Sequence, residues 1–304
     1  MIELDTLATE QPNAASQAVD AVSTLDMVRI INAEDAKVAA AVGAIAPAVA
    51  QAVDLIAAHL RDGGRLFYIG SGTSGRLGIL DAVECPPTYS TVPELVQGII
   101  AGGYDAIFRA REGAEDSPQN GEADLQTHHI TAKDVVVGLS ASGRTPYVVG
   151  ALSYAQSVGA ATIAVDCSPH SLIAAHAQID LCALVGPEVI TGSTRMKAGT
   201  AQKMILNMLS TGAMIKLGKV YGNLMVDVKS SNKKLEERAR RIVMTATSCT
   251  RHTAIQALEQ CQGHAKTAIV MVKNHLSASD AAAALQNADG YLRQALQRTE
   301  KEDN

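Results

Sequence analysis

The chain has 304 residues, enough for one large or two modest domains, and its formal charge of −5 at pH 7 offers no general attraction to nucleic acid or anionic lipid. Aromatic residues make up 3% and Trp is absent, so the core must be aliphatic and base-stacking platforms for single-stranded nucleic acid are scarce. Five scattered cysteines without a C-x-x-C pair argue for reduced thiols rather than a disulfide frame or zinc knot; an acidic start, with no run of about 18 apolar residues anywhere, predicts neither export nor a membrane span, and together these point to the cytoplasm.

Residues 1 to about 20 are polar and interrupted by Pro12, and read as an arm that is ordered only if it docks on something. Ser23-Thr24-Leu25-Asp26 can cap a first helix, and Glu34 to Leu60 reads as a second, Ala-rich one with an apolar packing stripe. Asp62-Gly63-Gly64 stops it. Leu66 to Gly70 is a short apolar run ending at Ser71-Gly72-Thr73-Ser74-Gly75-Arg76, so the unit is strand, tight glycine turn, helix start. Unpaired amides at such a start, the positive end of the helix dipole and nearby hydroxyls attract a phosphate or carboxylate. Gly70 to Gly75 also fits G-x-G-x-x-G, but the next strand, Leu95 to Ile100, ends in Ala101-Gly102-Gly103 without the acidic residue a dinucleotide ribose needs. No G-x-x-x-x-G-K-[ST] run is present either, so the reading is a phosphate-bearing small molecule without a cofactor, weighed against a merely structural turn.

The helix after the glycine turn is expected to stop at Cys85-Pro86-Pro87. An acidic helical stretch follows from Tyr104 to about Asp124. Val135 to Leu139 is the clearest strand, unbroken and β-branched as suits a strand covered on both faces, and it ends in a second hydroxyl loop, Ser140-Ala141-Ser142-Gly143-Arg144-Thr145-Pro146. Helices are expected at Val148 to Val158 and Pro169 to Ala177, with strands at Thr162 to Val165 and Ile179 to Val185. Five strands alternating with helices predict an α/β fold with a five-stranded parallel doubly wound sheet in the order 2-1-3-4-5. Both hydroxyl loops would then face each other at the crevice where neighbouring strands one and three finish.

A helix from about Thr194 to Leu217, capped by Ser193 or Thr194, carries Arg195 and Lys197 near its start, where the dipole disfavours cations; a nearby carboxylate or anionic ligand would offset that, and solvated surface cations are the plain alternative. Residues 233–304 read as helices only, with Gly290 as a break between the last two. The expected division is an N-terminal arm and helices at 1–55 packing on the core, a phosphate-binding sheet domain at 56–219, and a C-terminal helical region at 220–304. His128-His129 could suggest a metal, but two adjacent histidines need not face one point, and no metal is expected.

Taken together, Ile69 to Gly78, Asp81-Ala-Val-Glu-Cys-Pro-Pro-Thr88, Ser140 to Pro146, Thr191-Gly-Ser-Thr-Arg-Met-Lys-Ala-Gly-Thr200, Ser231-Asn-Lys-Lys-Leu235 and Ala288-Asp-Gly-Tyr-Leu-Arg293 resemble the bacterial N-acetylmuramic acid 6-phosphate etherases, which are built on the sugar isomerase (SIS) fold. The resemblance covers roughly Thr9 to Gln297; where members commonly carry an arginine between Thr-Glu and Asn, this chain has Gln11-Pro12. It implies a lyase that removes D-lactate from C3 of the sugar by elimination and water addition, giving N-acetylglucosamine 6-phosphate in cell-wall sugar recycling. It also implies that Glu84 and Glu115 are the catalytic carboxylates. Lys234 is a weaker helper candidate, and Ser71, Thr73, Ser74, Ser140, Ser142 and Thr145 form the expected phosphate cradle. On the residues alone, Glu84 reads as a helix-end carboxylate in solvent and Glu115 as part of a solvated charged face.

An unbroken helix would place Ser74 and Glu84 ~15 Å apart, farther than a hexose phosphate comfortably spans. This predicts a homodimer with shared sites, unless Gly78 breaks the helix. Two competing readings keep the same cradle: a non-catalytic sugar-phosphate sensor, and an aldose–ketose isomerase. A DNA-binding regulator would need a basic helix-turn-helix, and residues 1–60 are poor in Lys and Arg.

Overall fold

A computed structural model describes residues 8–228 and 233–302, the last five of them as backbone only; Ser231 and Asn232 of the motif at 231–235 lie outside the described residues. The chain divides into two compact units, one of Met1–Val83 and Glu94–Ser210, the other of Glu84–Pro93 and Thr211–Asn304.

The first unit opens with the arm, which docks. Thr9 is buried and its carbonyl accepts from the Gly192 N–H at 3.2 Å, while Asn13 donates to the Pro187 carbonyl at 3.0 Å and Ser16 to that of Val189 at 2.7 Å. Ser23 then caps helix α1 (Thr24–Asp35) as expected. The single helix expected from Glu34 to Leu60 is instead interrupted twice, giving the end of α1, then α2 (Val38–Ala44) and α3 (Ala46–Arg61). Pro47 explains the second break, because a proline at the second helical position has no N–H to continue the ladder from the preceding turn.

Strand β1 (Leu66–Gly70) leads into α4 (Gly72–Tyr89), followed by β2 (Val96–Ile100) and the short α5 (Asp105–Phe108). The helix does not stop before Pro86. Both prolines sit in its final turns, where their fixed φ is helical, and closure comes from Ser90, left-handed at φ 52, whose N–H reaches the Pro86 carbonyl at 3.0 Å. Nor is Tyr104–Asp124 one helical stretch: α5 ends at Phe108, and α6 (Pro118–Thr127) begins only after Ser117, whose side chain accepts from the Asn120 N–H. Glu115 therefore lies on a loop.

Then come β3 (Val135–Leu139), α7 (Pro146–Ser157), β4 (Ala161–Asp166), a 3₁₀ turn at Ala174–His176 where a longer helix was expected, and β5 (Ile179–Cys182), three residues shorter than expected. The sheet is parallel with order β2-β1-β3-β4-β5, as the strand spacing predicts. Every residue of β1 and β3 is buried, as a two-sided sheet requires. Phe67 and Ile69 face the cluster built on Tyr147, Val148 and Leu152 of α7. Tyr68 points the other way, onto Gly78 of α4, where an added Cβ would lie 2.8 Å from the Tyr68 Cβ. Gly78 thus permits close helix–sheet approach and does not break α4.

Helix α8 (Lys197–Lys216) passes from the first unit into the second. The second unit is helical, with α9 (Lys233–Thr247), α10 (Arg251–Gln260), α11 (Ala265–Asn274), α12 (Ala278–Asn287) and α13 (Leu292–Glu302). Its core is small and aliphatic, centred on Val243, Ala254, Ala268, Ile269, Ala281 and Leu292. Gly290, at φ 78, marks the expected break between the last two helices.

Candidate active site

The register fixes the crevice. Gly70, the last residue of β1, pairs with Leu139, the last of β3, so the loops that begin at Ser71 and Ser140 leave the sheet side by side. Helices α4 and α7, which follow them, pack on opposite faces, the arrangement that opens a ligand crevice at strand carboxyl ends.

Within the first loop, the hydroxyls are already engaged. Ser71 donates to Oε2 of Glu115 at 2.8 Å, and Ser74, buried, donates to Oε1 of Gln202 on α8 at 2.8 Å. Thr73 packs beside Gly199 of α8, where a Cβ would lie 3.5 Å from its methyl carbon. In the second loop, Ser140 and Thr145 share a hydrogen bond of 2.8 Å, Ser140 lies 3.4 Å from the Ser142 hydroxyl, and the Arg144 N–H reaches Ser142 at 3.3 Å. Gly143 is left-handed at φ 69 and so close to Ser171 that an added Cβ would lie 2.1 Å from the serine Cβ. Asp166, fully buried at the end of β4, accepts from the Ser171 hydroxyl and so braces this loop from behind; burial pushes its carboxyl up despite that bond.

Glu115 bridges the two loops: its side chain accepts from Ser71 and its carbonyl accepts from the Tyr147 N–H in the first turn of α7 at 3.0 Å. A cavity of about 180 Å³ opens here, lined among others by Ser71, Gly72, Arg76, Arg111, Glu112 and Glu115. Arg76 fastens its wall, donating to the carbonyls of Ile107 at 2.8 Å and Ala106 at 2.7 Å.

Ser71, Thr73, Ser74, Ser140, Ser142, Thr145 and Glu115 all belong to the first unit, and of these Ser71 and Glu115 line the cavity. Glu84 is an exposed residue of α4 and Lys234 an exposed residue in the first turn of α9, and both are assigned to the second unit. His128 and His129 read as structural: the His128 ring meets Phe67 edge-on at 5.8 Å, and both carbonyls accept from Arg65.

Several site residues gave no local signal in the sequence. Gln202 sits mid-helix with nothing around it to mark a polar contact. The cations at the start of α8 did give one, and Lys197 proves to be buried, with its Nζ 2.7 Å from the equally buried Glu34. Neither Ser193 nor Thr194 caps α8, which starts later than expected. The cap is the buried Glu188, whose two carboxylate oxygens accept from the Lys197 and Ala198 N–H groups, each at 2.9 Å. A carboxylate there satisfies first-turn donors and the positive end of the dipole at once.

The sheet order, with two hydroxyl loops paired at its centre, agrees with the SIS domain that two sequence profiles identify. A SIS domain profile matches residues 108–212 and a glucokinase regulatory protein N-terminal SIS domain profile matches residues 16–156. Among solved structures, a phosphoheptose isomerase from Francisella tularensis superposes with a TM-score of 0.49 at 14% identity, covering 64% of this chain and 100% of that one. The N-acetylmuramic acid 6-phosphate etherase of Edwardsiella ictaluri is 59% identical over 295 residues (97% of this chain, 98% of that protein), and that of Photorhabdus laumondii is 56% identical over 292 residues (96% and 97%). The chain belongs to the N-acetylmuramic acid 6-phosphate etherase family.

Proposed function

We propose that this enzyme cleaves the D-lactyl ether of N-acetylmuramic acid 6-phosphate, giving N-acetylglucosamine 6-phosphate and D-lactate, and that it does so as a carbon–oxygen lyase. The observation that supports the reading is the hydrogen bond from Ser71 to Glu115 just beyond β1, in a chain 59% identical to a named etherase. An ether resists direct displacement, so the route must first acidify a neighbouring carbon. Opening the ring exposes an aldehyde at C1; a carboxylate takes the C2 proton, the C–H electrons form the C2–C3 double bond, and the C3–O bond breaks as lactate oxygen takes up a proton. Water then adds across the unsaturated aldehyde, its oxygen to C3 and a proton to C2.

Glu84 and Glu115 are the carboxylates we assign to this proton traffic, with Lys234 as a possible helper. The cradle is Ser71, Thr73, Ser74, Ser140, Ser142 and Thr145, on a sugar-phosphate-binding domain spanning 56–219. Residues 1–55 pack on that domain, and 220–304 form a separate helical region. Helix α4 is unbroken at Gly78, so the rise along it separates Ser74 from Glu84 by ~15 Å. This supports a homodimer whose sites are shared between subunits. The setting is the cytoplasm, where a phosphorylated sugar is retained by its charge, and no single described helix is long and apolar enough to cross a membrane.

Release of D-lactate from the muramic sugar phosphate tests the reaction; binding without release would make the chain a sensor, and conversion to a ketose without lactate an isomerase. Mixing inactive Glu84→Ala and Ser74→Ala chains tests sharing. Hybrid dimers should regain activity, and none regained counts against it.

A further inference from the structure

The helical second unit contains a cavity of about 550 Å³ whose lining includes Tyr221, Lys273, Asn274, His275, Arg293 and Gln297. That volume is in the range of small-molecule sites. None of the described lining residues is acidic, in a chain that carries 31 acidic against 26 basic residues.

The cations of this cavity differ from five others in the same unit. Lys219 and Lys266 both pair with Asp227, at 3.0 and 2.9 Å, and Arg240, Arg241 and Arg251 all pair with Glu237. Among the described residues, Lys273, His275 and Arg293 form no ion pair. Lys273 and His275 end α11, and the negative end of a helix dipole attracts cations, which is a sufficient structural reason for those two. It does not account for Arg293, the second residue of α13, where the dipole disfavours a cation.

Arg293 is also held in place. The turn before it is left-handed at Asp289 (φ 50) and Gly290 (φ 78), the Tyr291 hydroxyl donates to the Lys216 carbonyl, and Leu292 is buried. Its guanidinium, on an exposed residue, lies over the Tyr221 ring, 5.4 Å from the centroid, a contact that favours this orientation. This is the end of the Ala288–Arg293 motif, to which no step of the proposed ether cleavage is assigned.

We propose that this cavity binds a phosphate monoester, with Arg293 and Lys273 as the principal contacts, the His275 ring as a third and Asn274 and Gln297 as amide partners. The inference does not depend on the ether cleavage.

The test uses the intact chain and follows the His275 C2–H signal by proton NMR, assigned by its loss in His275→Asn. Inorganic phosphate, N-acetylglucosamine 6-phosphate and uncharged N-acetylglucosamine are added at constant ionic strength. Both phosphates should raise the His275 titration midpoint, because a bound anion favours the imidazolium, and the neutral sugar should not. Lys273→Ala and Arg293→Ala should each weaken the response about tenfold or more, with Arg293→Lys recovering part of it. Lys273→Ala is at an exposed position and guards against a folding failure at Arg293. A response about tenfold stronger for the sugar phosphate assigns the ligand as a sugar phosphate; an equal one assigns the phosphate group alone. A midpoint that ignores phosphate up to about 10 mM, or that follows chloride equally, overturns the proposal whatever the lactate assay gives.

Discussion

Ser71, the first residue beyond β1, donates its hydroxyl proton to Oε2 of Glu115 at 2.8 Å, so the loop expected to hold phosphate also orients a carboxylate expected to move protons. If Glu115 carries out acid–base work, Glu115→Gln should lower kcat by about 10²- to 10⁴-fold with the fold intact. Ser71→Ala should cost less, about tenfold, because the carboxylate survives but loses its orienting bond. Steady-state lactate release with circular dichroism as a folding control decides this, and a Glu115→Gln enzyme at the parent rate removes Glu115 from the mechanism.

Gln202 was not legible in the sequence, yet its Oε1 holds the hydroxyl of Ser74 in a buried contact. Replacing it by a carboxylate keeps the acceptor but sets a negative charge one residue behind the cradle. Gln202→Glu should therefore raise KM, and the inhibition constant of inorganic phosphate, by about tenfold with kcat less affected. Equal losses in kcat and KM, or none in either, would speak against a phosphate at Ser74.

What the sequence does reveal follows from periodicity. The unbroken apolar runs at Leu66–Gly70 and Val135–Leu139 are buried on both faces, so their strand character is written in every residue, and the alternation with helices gives the sheet order. What it conceals is decided by tertiary partners. Pro86 and Pro87 look like a stop, but their fixed φ is helical, and α4 runs on to Tyr89 although each proline lacks a ladder donor. Glu115 sits in an acidic run that looks helical, and only the Tyr147 N–H and the Ser71 hydroxyl explain why it is a loop. The cap of α8 comes from Glu188, nine residues before Lys197, a spacing no local capping pattern anticipates.

Asp81, on α4 three residues before Glu84, is pushed up to about 6 by burial, against the Tyr68 and Ser210 hydroxyls and the Lys203 cation that pull it down. A folded-state value above the ordinary 3.8 means that the folded chain holds this proton more tightly, so stability falls as pH rises from about 4 to about 6 and is level above. Asp81→Asn removes that cost. Its stability relative to the parent should improve by roughly 2 kcal/mol between pH 4 and pH 8, read from urea denaturation at each pH. A difference that does not change with pH would mean that folding leaves the Asp81 pKa unchanged.

Glu34, paired with Lys197, is the opposite case, a buried carboxyl that is pulled down. Burial opposes the charge on Glu34, but hydrogen bonds from Lys197 at 2.7 Å, Lys37 at 2.5 Å and Asn13 outweigh it and hold the carboxyl at about 2. Asn13 also donates to the Pro187 carbonyl, so the pair ties the arm, α1 and the start of α8 into one knot. Lys197→Met leaves the buried carboxylate with Asn13 and a single cation, Lys37, which is 60% exposed, and should cost about 3 kcal/mol. Adding Glu34→Gln should recover part of that loss, since removing both charges avoids the unpaired one. Because the folded value is depressed, this stabilisation is fully present above the ordinary 4.5 and is lost as pH falls toward about 2. The parent should therefore lose stability between those limits more steeply than the double variant. A Lys197→Met chain within about 0.5 kcal/mol of the parent at pH 7 would show that the pair adds nothing to the stability of the interior.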